Sequence, residues 1–88
     1  MKKVRTHKFM GVTYIIDVDE PEHGSCTDPK KKSNFLTVNV DISTKYGLSV
    51  LIHECMHAID FKRDDKFVDQ ASKEMADLLW RLGYRRKK

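Results

Sequence analysis

The stretch LIHECMHAID, residues 51–60, constrains this chain more than any other. Wound as a helix at 100° per residue, it stacks His53 and His57 on one face, one turn apart. The surrounding pattern agrees with that helix from about Thr44 to Phe61. Leu48, Ile52, Cys55 and Ile59 fall opposite the histidines, with Leu51 and Ala58 beside them. The apolar stripe is expected to lie on a sheet while the histidines face a second helix. Ser43 is placed to cap the start.

Upstream, the spacing reads as strands. VRTHKF and VTYIIDV flank Met10-Gly11, a hairpin with Gly11 free to take positive φ. In FLTVNVDI, Leu36, Val38, Val40 and Ile42 alternate with Thr37, Asn39 and Asp41, the period of a strand with one buried face. Between them, residues 19–34 hold both prolines and read as a long loop. Downstream, a second helix is expected from about Lys66 to Leu82. Asp64 or Asp65 stands near its cap, Gly83 at its stop, and Val68, Ala71, Met75, Leu78, Leu79 and Leu82 form its core stripe. The order β-β-β-α-α implies an α+β fold: a small antiparallel sheet of about three strands packed on two helices.

At 88 residues this is a single domain, 1–88, small enough that a bound metal would help hold it together. The apolar share of 40% and charged share of 34% exclude a disordered chain, and no apolar run is long enough for a membrane span. No signal peptide is visible behind the basic start, and two cysteines make no disulfide framework, so a cytoplasmic setting is expected. The net charge of +4 gathers partly at Lys30–Lys32 and in a frayed tail, 85–88. Without interleaved aromatics or a nucleic-acid motif, these read as solvated charge rather than a nucleic-acid surface.

Histidines at i and i+4 can both reach one zinc ion at about 2.0–2.1 Å, with Glu54 on the flank, close enough to act on a water at the metal. With four histidines and four glutamates in the chain, this pattern arises by chance roughly once in a hundred such sequences. The competing reading is two histidines in a packed core. A catalytic zinc needs a third protein ligand and an open position. Asp69 and Glu74, on opposite flanks of the second helix's stripe, are both candidates. Asp60 shares the histidine face but lies a full turn beyond His57, which suits a partner that orients a ligand. Cys26, from the long loop, would close the site and make it structural. His7, His23, Trp80 and Tyr84 are further candidates: Trp80 to roof the site, Tyr84 to donate to an oxyanion or to staple the helix end.

With these residues in view, the chain resembles the gluzincin class of zinc metallopeptidases. It is most similar to the very small zincin-like proteins encoded by phages and to the ImmA/IrrE-type metallopeptidases. The resemblance covers most of the chain in outline, but only the helix carrying His53, Glu54 and His57 is specific. It implies a minimal zincin core, zinc on His53 and His57, and Glu54 as general base. It also implies a third ligand early on the next helix, at Asp69, where the family has glutamate. Larger zincins add a subdomain that deepens the cleft, and nothing here corresponds to it.

The expected function is therefore a zinc metallopeptidase. A zinc-bound water, with Glu54 as base, would attack a peptide or protein substrate held along the edge of the strand at 35–42. The alternatives are a zinc-stabilised protein- or nucleic-acid-binding module and an inactive pseudopeptidase. The chain is expected to be a monomer or small oligomer without membrane contact, acting in a host cytoplasm if viral.

Overall fold

The computed structural model describes residues 5–18 and 34–86, and the backbone of 25–26. Most of the expected loop, the side chain of Cys26, His23 and the end of the basic tail lie outside the described residues. The elements are β1 (Thr6–Phe9), β2 (Val12–Asp17), β3 (Ser25–Cys26), β4 (Phe35–Thr37), α1 (Lys45–Ile59) and α2 (Asp65–Arg81). This is an α+β fold, as the sequence pattern implies.

The hairpin β1–β2 turns on two residues, both left-handed: Met10 at φ 51° and Gly11 at φ 80°. Two consecutive positive φ angles are what a tight hairpin turn requires, because they match the twist of the flanking strands. Phe9 then faces Val12 and His7 faces Tyr14. The sheet order is β1-β2-β4-β3. Two features differ from the expected antiparallel meander. A two-residue strand, β3, lies within the expected loop and pairs antiparallel with β4, and β4 pairs parallel with β2. The second follows from the first: a chain that reverses at β3 and again at β4 runs along β4 in the direction of β2. The expected open edge is thus covered, since Ser25 and Cys26 pair with Thr37 and Leu36.

Only Phe35–Thr37 of the alternating segment forms a strand, and the alternation sets only part of what is buried: Thr37, expected on the polar face, is itself buried at 8% exposure. Leu36 and Val38 are fully buried with Tyr14 and Ala58, and Val40, Ile42, Val50, Leu51 and Cys55 pack against them. The Val38 N–H still donates to the Asp17 carbonyl at 3.0 Å. The chain then turns directly into α1. Thr44, not Ser43, is the cap: its hydroxyl accepts the Gly47 N–H at 2.9 Å and donates to the Asp41 carbonyl at 2.7 Å. Ser43 instead bonds the Asp41 carboxylate. Such a cap contributes on the order of 1 kcal/mol. Gly47 is the residue that lets the turn lie flat on the helix, since a Cβ there would fall 1.9 Å from the Asp41 carbonyl oxygen.

The two helices form an antiparallel hairpin across the short turn 60–64. Asp64 caps α2 by accepting the Phe67 N–H at 3.4 Å. At the far end Gly83, at φ 93°, lets its own N–H reach the Trp80 carbonyl and the Tyr84 N–H reach the Leu79 carbonyl. That paired closure is the usual glycine-dependent end of a helix. Among the described residues α2 packs on α1 and approaches no strand, so α1 lies between α2 and the sheet. The contact uses Val68, Ser72 and Ala76, all buried. This corrects the expected core stripe: Met75, Leu78 and Leu82 are exposed, as is Phe67. Ile59, expected to face the sheet, is exposed too. No helix among the described residues is long and apolar enough to cross a membrane.

Candidate metal centre

The hairpin of α1 and α2 sets facing residues in steps of one turn. Lys45 meets Asp77 at 2.7 Å, His53 comes to 4.0 Å from Asp69, and His57 meets Asp65 at 3.0 Å. Each pair is displaced by whole turns on both helices, so the polar groups form rungs along one seam. The two histidine rings stand 4.8 Å apart, and their side chains are largely shielded from water.

His53, His57 and Asp65 offer one ligand atom each, all within 4.8 Å of one another, so these three could hold a metal ion. Bonds of about 2.0–2.1 Å in a tetrahedral site put ligand atoms about 3.4 Å apart. The His57–Asp65 pair is already near that spacing, and the donor set of two imidazoles and a carboxylate suits zinc. Asp65 is the residue the sequence reading missed. From sequence it is one of two adjacent aspartates near a helix start. In the fold Asp64 takes the capping role, and Asp65, the first residue of α2, turns its carboxylate to His57.

The other expected residues fall into distinct places. Asp69 lies beside His53, one turn from Asp65, with its second oxygen 3.0 Å from the Lys73 ammonium. Glu74 is exposed and accepts a hydrogen bond from Gln70 at 3.2 Å, outside the His–His–Asp group. Asp60 ends α1 with its carboxylate paired to Arg63 at 3.2 Å, not to a histidine. Trp80 sits about 16 Å further along α2 than Asp69, at 1.5 Å per residue, where Arg85 stacks over its ring at 3.8 Å. Tyr84 follows Gly83 at that same end, exposed. His7 lies on β1, at the sheet edge away from β4, against Phe9. The backbone of Cys26 belongs to β3.

Glu54 lies beside the histidines, in the same cleft as His53. It is buried, only 8% exposed, and makes no hydrogen bond or salt bridge among the described residues. It lines a cleft of about 460 Å³ between α1, α2 and the segment after β4, together with His53, Asp69, Asn39, Tyr46 and Lys73. Burial pushes the Glu54 carboxyl above its ordinary range; the nearby Asp65 adds to that, and His57 opposes it. Burial, and then His57, push His53 the other way, toward the neutral imidazole, against the pull of Asp69 and Asp65. Neutral imidazole is the form that binds a metal. Cys55, one residue beyond Glu54, packs against the sheet core, and burial raises its thiol to about 11, so it stays protonated and inert.

No protein family, curated protein or solved structure matches the chain. Its function is therefore argued from the site itself.

Proposed function

We propose that this chain is a small zinc-dependent metallopeptidase, with His53, His57 and Asp65 as the metal ligands and Glu54 as general base. The observation that carries the reading is the convergence of those three ligands beside a buried carboxylate that faces a cleft and has no structural partner among the described residues. A bound zinc ion supplies Lewis acidity to a carbonyl and makes a nearby water a better acid. Glu54, held by burial at a raised proton affinity, is suited to take a proton from that water and return it to the leaving amine. Burial holds His53 toward the neutral imidazole, the form that binds a metal. The cleft, lined by Asn39, Tyr46 and Lys73 among others, gives an extended peptide a place to lie. The resemblance of His53-Glu54-x-x-His57 to the motif of small phage-encoded and ImmA/IrrE-type zincins supports the same activity, in a reducing cytoplasm and without membrane contact.

A second reading has its own support. A metal between His57 and Asp65 would tie the start of α2 to the end of α1, which is a structural role for zinc in a small binding module. Glu54 separates the two, because a structural tie needs no buried carboxylate beside it. The test is hydrolysis of an unstructured protein such as casein by zinc-loaded chain. Cleavage that disappears in Glu54→Gln with zinc still bound supports the peptidase. A zinc-loaded wild type that cleaves neither casein nor a diverse peptide library, and loses its fold when zinc is removed, supports the module.

A further inference from the structure

The second helix carries an apolar surface that the first does not use. Met75, Leu78 and Leu82 are exposed, and Ala71 is half-buried beside them. These four follow one another at intervals of four, three and four residues, the spacing of a seam between two helices. Leu82 belongs to the seam because its backbone keeps helical angles, φ -78° and ψ -9°. At about 100° per residue the seam is centred roughly 90° round the helix from the buried Val68, Ser72 and Ala76. It therefore points to a neighbour beside α1, the arrangement of adjacent pairs in a helix bundle. None of the four lines the cleft. Apolar side chains scattered singly on a surface need no partner, whereas a continuous stripe marks a contact.

We propose that α2 pairs antiparallel with α2 of a second copy of this chain across that seam, leaving the cleft of each copy open. In this register Met75 meets Leu78 of the second copy and the small Ala71 meets its Leu82, and the two-fold axis repeats each contact. Charge selects the same arrangement. Glu74 and Arg81 lie seven residues apart on one flank of the seam, both exposed. Glu74 accepts from Gln70 through Oε2, and Arg81 meets Asp77 through Nε, so each has further hydrogen-bonding groups to offer. Antiparallel pairing sets Glu74 across from Arg81 of the second copy, and Arg81 across from its Glu74. Parallel pairing instead gathers Arg81 and Arg85 of both copies at one end, like charge against like. Charges of both signs beside the seam suit a copy of the chain, whereas an anionic lipid surface would repel Glu74. The seam shares no residue with His53, His57 and Asp65, so the proposal stands apart from the metal-centre reading.

Analytical ultracentrifugation of the full chain, in excess chelator and over a concentration series from micromolar to millimolar, tests it. The wild type is expected to pass from monomer to dimer in the micromolar range. Leu78→Glu, a change at an exposed position, is expected to stay monomeric throughout with an unchanged circular dichroism spectrum. Glu74→Arg and Arg81→Glu should each weaken the dimer about tenfold or more, because each sets like charges together twice. The double variant Glu74→Arg/Arg81→Glu should recover the wild-type dissociation constant, a recovery that a merely sticky surface does not give. Wild type that is monomeric at every concentration overturns the proposal. So does a dimer that persists in Leu78→Glu, since the contact then lies elsewhere. A double variant as weak as the single ones overturns the antiparallel register. Wild type that stays monomeric in solution but sediments with phosphatidylserine vesicles overturns the proposal in favour of a lipid surface.

Discussion

The two faces of α1 are built to opposite rules. Toward the sheet it lays Leu51, Cys55 and Ala58 on Tyr14, Leu36 and Val38, an apolar core with fully buried side chains. Toward α2 it presents histidines to aspartates, and the buried residues of α2 are the small or short Val68, Ser72 and Ala76. Glu54 lies near the boundary, buried like a core residue but charged like a site residue. The comparison teaches that stability and chemistry are segregated on one helix. The sheet face holds α1 in place, and the α2 face brings together His53, His57 and Asp65, which could hold one ion. Groups placed for chemistry rather than packing cost stability, and a bound metal offsets that cost.

Cutting into the sheet face should have the largest effect. Leu36→Ala removes a fully buried side chain and is expected to cost roughly 2–5 kcal/mol in urea unfolding. The same loss should appear with and without zinc, since no ligand is touched. The second effect belongs to the α2 face. Zinc present at about a hundred times its dissociation constant should stabilise the chain by about 2.7 kcal/mol. Chelation should reverse that gain, and Asp65→Ala should be insensitive to both. A zinc effect of equal size in Asp65→Ala would break the division between the faces.

Glu54 sharpens the boundary. Its folded-state proton affinity is raised, so between its ordinary titration range and its folded one the folded chain holds a proton that the unfolded chain has lost. The stability associated with the protonated form is present at low pH and is lost as pH rises through that window. Glu54→Gln should therefore make the metal-free chain more stable at pH 7, by on the order of 1 kcal/mol. The gain should shrink as pH falls below the ordinary carboxyl range, where the wild-type carboxyl is protonated in both states. Peptide cleavage should fall in the same variant by about 10²- to 10⁴-fold. A Glu54→Gln chain less stable than wild type at neutral pH would mean that the carboxylate is a structural partner after all. The smallest effect is expected at the outer rung. The hydrogen bond from Lys45, with the charges of Lys45 and Arg81, holds the Asp77 carboxyl below its usual range despite its exposure. Lys45→Met should move that titration upward in NMR with little change in the urea midpoint, because the pair is screened by solvent.

The sequence made the local features legible. The Met10-Gly11 hairpin, both helices to within two residues at each end, the Gly83 stop and the shared face of His53 and His57 all follow from short-range chemistry. The alternation through Leu36, Val38, Val40 and Ile42 identified buried positions even where no strand forms. The features it hid are non-local. The pairing of β4 between β2 and β3 depends on which strands meet, and no spacing within β4 announces it. Asp65 was hidden because a residue at a helix start reads as a cap until the register between two helices is known. The exposed Phe67, Leu78 and Leu82 were hidden because a helical stripe shows that one face is apolar, not that a neighbour covers it.

The central claim is that His53, His57 and Asp65 hold one ion together. Bound zinc per chain, measured by elemental analysis after dialysis of wild type, His57→Ala, Asp65→Ala and Glu74→Ala against micromolar zinc, tests it most directly. One zinc in wild type and Glu74→Ala, and none in the other two, is the expected result. Full zinc in Asp65→Ala, or none in wild type, would contradict it.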